Sequence, residues 1–356
     1  MTTSGYPDLV TDINIHFQAV METRKPSMIG SLYTQQPWTD GDPEKFTFDT
    51  YALPMYARRT SQTEAAPQYS VTMGNKLEKY FFKYAIANDY TVEMDTFGRE
   101  KIVAKMMDAF APAILNSKEL ELTHQRLTYA DTINYQPQER TGTVSFATPD
   151  GLAVGSALHT VPGTGATYSN ILSNAGALTP DNLTSLLAQL QRNTVNDEGR
   201  IIPLNFDRLI VGGDWELVKR AMEILGTNKV PYQANNTINV YSGGGLKMPF
   251  GDMPVVGADA SYKPMELLVL NKGALDRNGQ YADGQSGRDN RRFYWGVAAS
   301  ELFPAAKYAE TTNSGVIKVG PSNNNPNALF GLLAYQFACF AMTRWQGTGF
   351  SFASSL

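Results

Sequence analysis

The sequence predicts an α+β fold, and three observations carry that prediction. Residues 96–130 hold a helical stripe of Val103, Met107, Phe110 and Ile114, with Met106 beside it. A second helix opens on Thr179 and Pro180, a favoured cap and a favoured first-turn residue, and continues as Leu183, Leu186, Leu187 and Leu190. Around these lie strand-like runs, among them Lys45–Tyr56, Phe293–Ala298, Ala306–Thr311 and Val316–Val319.

Taken in chain order, residues 4–24 read as a helix, because Leu9, Ile13, Phe17 and Val20 recur at helical spacing. Thr23 to Gly41, with Pro26 and Pro37, reads as an extended arm. Two long β segments follow, Lys45–Tyr56 and Val71–Tyr90, around the polar tip Arg58–Tyr69. A hairpin with so polar a tip buries little of itself, so it either packs on its own domain or reaches another subunit. Asp95 or Thr96 caps the long helix, and Pro112 is expected to kink it or end its first half, with Leu120 and Leu127 continuing the apolar face. Thr141–Leu178 is rich in Gly, Ser and Thr and reads as a loop with short strands. After the polar turn Asn196–Arg200 come a strand at Arg208–Val211 and a helix at Trp215–Leu225, capped by Asp214 and ended by Gly226. Strands are expected near Asn239–Tyr241, Pro254–Val256 and Leu267–Leu270. Tyr281–Arg292 is a polar loop, and Gly320–Asn327 leads into the apolar run Ala328–Met342, a strand or helix crossing a core.

Composition narrows the function. Charged residues make up 18% of 356, against a typical ~25%, and Tyr and Phe number 18 and 17. Scarce charge with many aromatics fits a surface hidden in assembly interfaces or a large single core. The net charge of −4 argues against tight, sequence-independent DNA binding, which needs clustered Lys and Arg. One cysteine, Cys339, allows no internal disulfide and fits a reducing cytoplasm or a particle assembled in one. No basic-then-apolar segment opens the chain, and Ala328–Met342, interrupted by Gln336, is shorter than the ~18–20 residues of a membrane span. No cofactor and no membrane partner is expected.

Catalytic motifs are sparse. His16, His124 and His159 are the three histidines, none sits in a zinc-protease motif, and there is no cysteine cluster, so no metal site is expected. Pro162–Ser169 and Ser242–Lys247 are glycine-rich but lack the phosphate-loop ending, and turn glycines account for them. Gly349–Ala353 places Ser351 in a weak likeness of a nucleophile elbow, but only five residues of chain follow it and no helix does. Ser156 and His159 lie three apart without an evident acid partner. Arg288, Arg291 and Arg292 form the dense basic cluster, a solvated loop or an intersubunit ion-pair site, with nucleic-acid contact third.

A longer set of landmarks runs through the middle of the chain. Asp150-Gly151 precedes Ser156-Ala157-Leu158-His159, then come Tyr168-Ser169-Asn170, Leu178-Thr179 with the leucine-striped helix, and Asp197-Glu198-Gly199-Arg200. Asp207-Arg208-Leu209-Ile210-Val211 follows, leading to Leu217, Ala221 and Leu225. This ordered series, about 80 residues long, resembles the major capsid proteins of tailed phages, in particular the Mu-like head-subunit branch of the Hong Kong 97-type fold. Leu158 departs from the Thr or Ala common there, and Leu152–Gly155 does not copy the family's residues.

The resemblance implies an architecture: an N-terminal arm (1–43), an extended β-hairpin loop lying over a neighbour (44–90), a peripheral domain with a spine helix (91–203), an axial domain (204–275), a return through the peripheral domain (276–343) and a C-terminal strand in the axial sheet (344–356). It implies a non-enzymatic shell subunit that self-assembles into hexamers and pentamers around a phage double-stranded DNA genome. Portal, scaffold and a decoration protein would be further partners, contact with packaged DNA would be weak, and the shell would be assembled in the host cytoplasm. Intersubunit contact candidates are Arg58, Arg59 and Glu64 in the hairpin tip, Arg288, Arg291 and Arg292, and Asn323, Asn324 and Asn325. For the asparagines a solvated turn and a contact between symmetry mates both stand, since an amide can donate to and accept from its own kind. The rival readings are an encapsulin-like nanocompartment shell and, remotely, a carbohydrate-acting hydrolase with paired carboxylates.

Overall fold

The computed structural model describes residues 14–15, 17–21, 33–36, 45–52, 59–65, 72–91, 109–119, 121–122, 132–134, 143–145, 147–161, 165–172, 176–196, 199–202, 204–226, 247–248, 251–252, 265–270, 294–299, 306–310, 315–319 and 328–352. The chain divides into two compact units, Met1–Phe46 with Lys79–Leu122 and Lys307–Phe340, and Thr47–Glu78 with Thr123–Ala306 and Ala341–Leu356. Helix α1 is described at 14–15 and 17–21, and α2 at 109–119 and 121–122.

The first unit is built on strand β16 (Ala328–Met342), which settles the apolar run as a strand. Its sheet has the order β1 (Tyr33–Gln36), β14 (Ala306–Glu310), β16, β15 (Gly315–Val319), with β4 (Phe82–Thr91) also paired to β16. Alternation explains the composition of β16: Ala334, Gln336 and Ala338 are buried, while Leu333, Tyr335 and Phe337 are half-buried on the opposite face. On that second face the Lys83 ammonium lies 5.1 Å from the Tyr335 ring and 6.0 Å from the Phe337 ring. On the buried face Phe340 meets Tyr33 and Tyr84 edge-on, each at 6.4 Å. Helix α2 buries Phe110 and Ile114, as its stripe requires, and it runs on through Pro112. Pro112 therefore does not end the helix.

The second β segment of the expected hairpin divides at Phe81. Strand β3 (Thr72–Tyr80) pairs with β2 (Lys45–Ala52), whereas β4 leaves them to join β16. The tip at 59–65 is exposed and closes through a turn in which Glu64 N–H donates to the Ser61 carbonyl at 3.2 Å.

The second unit centres on the sheet β12 (Glu266–Val269), β9 (Arg208–Val211), β13 (Tyr294–Ala298), β17 (Thr348–Phe352). β12 runs parallel to β9, and β13 antiparallel to β9 and β17. Helix α3 (Pro180–Asn193) starts as the sequence predicts: Thr179 is extended and its hydroxyl accepts the Asn182 N–H at 3.2 Å. Helix α4 (Trp215–Gly226) begins where Asp214 Oδ1 accepts the Glu216 N–H at 3.0 Å. Both helices press their apolar stripes onto one face of the sheet: Leu183, Leu186, Leu190, Leu217, Val218 and Ala221 share a core with Leu209, Val211, Trp295 and Val297. Each buried Leu contributes about 1.5–3 kcal/mol. α3 thus belongs to the core of β9, across the boundary at 203/204 that the resemblance implies. Likewise β13 joins β9 and β17, while β14, β15 and β16 lie in the first unit. Three two-stranded ladders complete the description: β5 (Thr132–Asn134) with β6 (Thr143–Ser145), β7 (His159–Thr160) with β8 (Thr167–Tyr168), and β10 (Lys247–Met248) with β11 (Gly251–Asp252).

Candidate functional site

The landmark residues meet in the second unit. Gly151, at φ +78°, makes the tight turn in which Thr148 N–H bonds the Leu152 carbonyl at 2.9 Å. That turn holds Asp150 with Oδ1 accepting from the Thr148 hydroxyl and from Leu152 N–H at 3.3 Å. Asp150 Oδ2 receives His159 Nδ1 at 2.7 Å, with side-chain exposures of 5% and 0%. The other ring nitrogen, Nε2, meets the Val154 carbonyl at 3.1 Å. The same carbonyl accepts Asn170 Nδ2 at 2.7 Å, and Asn170 Oδ1 accepts Ser156 N–H at 2.9 Å. The imidazole stacks on Trp345, with ring centroids 4.7 Å apart and planes 5° from parallel, and Tyr168 also stacks on Trp345, at 6.3 Å. The Asn170 main chain carries the link to the last strand: Phe350 N–H bonds the Asn170 carbonyl at 2.9 Å, and Leu172 N–H bonds the Phe350 carbonyl at 2.8 Å.

The electrostatics follow from this geometry. Burial pushes the Asp150 carboxyl up, but the hydrogen bonds from His159 and Thr148, the charge on His159 and the Leu152 N–H outweigh it, and the net shift is downward. The carboxylate is held ionised inside the protein by donors that the 148–152 turn and His159 supply.

This is a clamp and not a hydrolase site. The acid partner that the sequence did not reveal for His159 is Asp150, nine residues upstream. Yet both ring nitrogens already face acceptors, and Ser156 Oγ takes the Leu158 N–H at 3.1 Å, so the histidine is not in place to deprotonate that serine. Ser351 lies within β17, fully buried, and donates to the Gly176 carbonyl at 2.8 Å, which is not an elbow. Among the described residues no group of His, Cys, Asp and Glu could hold a metal ion, and no helix is long and apolar enough to cross a membrane.

The first unit has a buried polar joint of its own. Lys118, 1% exposed on α2, donates through Nζ to Gln336 Oε1 at 2.6 Å. Gln336, which interrupts the apolar run in the sequence, is there to receive a buried cation. Tyr84 bonds Glu121, and Tyr33 donates to the Leu122 carbonyl at 3.5 Å.

Of the contact candidates, Arg59 and Glu64 lie on the exposed tip. Arg58, Arg288, Arg291, Arg292, Asn323, Asn324 and Asn325 lie outside the described residues, as do His16, His124 and the strands expected near 239–241 and 254–256.

No protein-family model matches the chain, and no curated protein matches it in sequence. Solved structures do. A structure of Gordonia phage Cozz is similar over 93% of this chain and 88% of its own, at 13% identity and a TM-score of 0.48. The capsid structure of the cyanophage P-SCSP1u is similar over 94% and 90%, at 12% identity and a TM-score of 0.48. A virus-like particle from Pyrococcus furiosus is similar over 96% and 98%, at 8% identity and a TM-score of 0.45.

Proposed function

We propose that this chain is a structural shell subunit, the major capsid protein of a tailed phage with a Hong Kong 97-type fold, and not an enzyme. One observation carries the reading. Landmarks read along the sequence as a capsid-like series, Asp150-Gly151, His159 and Ser169-Asn170, form one buried hydrogen-bonded clamp tied to β17. The next landmarks, the α3 helix and the β9–α4 strand–helix unit, form the core beside it.

In this reading, copies of the chain form hexamers and pentamers that close into an icosahedral shell around double-stranded DNA, with only weak contact to the genome. Rings of one repeated heterologous contact suit such closure. Portal, scaffold and decoration proteins are its further partners, and assembly takes place in the host cytoplasm. The exposed tip at 59–65, carrying Arg59 and Glu64, reaches a neighbouring copy.

Electron microscopy of the purified full chain tests the reading. Shells or six- and five-membered rings are expected. A chain that stays monomeric at high concentration, at every salt level and with scaffold present, overturns it. A nanocompartment is the second reading, and the contents of the particles separate the two: nucleic acid for a phage head, cargo protein for a compartment.

A further inference from the structure

In α2, Phe110, Ile114, Lys118 and Leu122 follow one another at intervals of four residues, and all four are buried. That spacing sets them in one row along the helix. Three members of the row are large and apolar. A helix displaced by one turn, about 6 Å, therefore still offers large apolar side chains to the sheet. Apolar contact alone separates the two arrangements weakly, because side chains of roughly the right size suffice for a packed core. Lys118 is the exception in this row, and Gln336 is the exception in β16, whose other members are apolar, aromatic or glycine. The two exceptions meet, with Lys118 Nζ donating to Gln336 Oε1 at 2.6 Å. Three residues further along α2, Glu121 accepts the Tyr84 hydroxyl, and Tyr84 stands directly opposite Gln336 in the β4–β16 register. Two polar side chains on one helix face thus match two cross-strand neighbours, and none of the four is more than 7% exposed.

We propose that this two-point joint is a register key, which fixes where α2 lies along the β4–β16 sheet and selects among packings more than it stabilises the chosen one. A helix one turn out of place carries Lys118 from the Gln336 oxygen and Glu121 from the Tyr84 hydroxyl at the same time, and sets buried polar groups against apolar ones. In the native arrangement the same groups gain little beyond the desolvation they cost, since apolar residues of like volume in place of a buried ionic joint are often neutral or stabilising. Discrimination between the two arrangements is therefore the distinctive contribution of the four residues. The key is legible as a pair of exceptions, one in each apolar pattern, that coincide in space.

The test replaces the joint by apolar residues of similar size, in the full chain carrying Lys118→Met, Glu121→Met, Gln336→Leu and Tyr84→Phe together. Nitroxide labels go on Ser117→Cys and Asn88→Cys, both exposed in the native chain, with buried Cys339 changed to Ala. Pulsed electron paramagnetic resonance reads the distance between α2 and β4, and thermal melting reads stability. With the native joint a single distance is expected. With the apolar joint the melting temperature should be no lower, while a second distance, shifted by up to about 6 Å, should appear in roughly a tenth or more of the molecules. An apolar joint that keeps the single native distance overturns the proposal, and so does one that melts well below the native chain. If the fourfold variant does not fold, Lys118→Met with Gln336→Leu alone is measured in the same way, with the same outcomes deciding. Failure of both to fold shows a joint that holds the unit together without selecting its arrangement, which also overturns the proposal.

Discussion

Asp150→Ala should be among the most damaging single changes in the second unit. The substitution removes the acceptor of His159 Nδ1 at 2.7 Å, of the Thr148 hydroxyl, and of Leu152 N–H at 3.3 Å. His159 is fully buried, so no water replaces what is lost. Removing the ionised member of a buried, hydrogen-bonded pair costs about 3–5 kcal/mol. That lowers the folded-to-unfolded ratio roughly a hundredfold to several thousandfold. The assay is urea unfolding followed by tryptophan emission, since Trp345 stacks on the imidazole and reports the clamp. The companion variant Asp150→Ala/His159→Leu removes both partners together. It should be less destabilised than Asp150→Ala alone, because no unpaired polar ring is left in the interior. A change below about 0.5 kcal/mol for Asp150→Ala, the ordinary range of a surface substitution, would refute the argument. So would a double variant less stable than the single one.

Other expectations follow from the same structure. The Asp150 carboxyl is lowered from 3.8, so its contribution to stability is fully present above that value and is lost as pH falls through the lower folded-state value. The stability gap between wild type and Asp150→Asn, measured by denaturation at a series of pH values, should therefore shrink below pH 3.8; a gap constant from pH 7 to pH 2 would contradict it. Gly349→Ala places a Cβ 2.3 Å from Leu190 Cδ1, an overpacking that costs about 1–3 kcal/mol, and Leu190→Val in the same chain should recover part of it by thermal melting. Amides of the exposed tip at 59–65 should exchange fast in the free subunit and slowly in shells, with equal protection in both states counting against the docked hairpin. Changing Asn323, Asn324 and Asn325 together to Asp should lower the melting temperature of shells while sparing isolated rings, and unchanged shells would mark the loop as a turn.

How far the sequence reached depended on how local the cause was. Thr179, Pro180 and the leucines after them act within a few residues of one another, so the start and buried face of α3 could be read directly. The same is true of the β9–α4 unit, where Asp214 caps and Val218 and Ala221 face inward. Pro112 does not end α2, which continues through it, because a proline forbids a helix only where its missing N–H and ring conflict with the preceding turn. The break at Phe81 was invisible because Thr72–Tyr80 and Phe82–Thr91 have similar strand propensity; their different partners, β2 and β16, are chosen by distant segments. His159 shows the limit most clearly. Its neighbour in sequence, Ser156, suggested chemistry, while its neighbours in space are Asp150, nine residues away, and Trp345, near the other end of the chain. A hydrogen bond to a turn and a stacking contact leave no periodic trace, so the landmark spacing of Asp150-Gly151 and His159 was the one legible sign that they act together. Gln336 carried its own sign: an amide within fourteen otherwise apolar or small residues of β16 demands a buried partner, and Lys118 is that partner. A polar residue that violates an apolar pattern thus locates the joint of the first unit before any distance is measured.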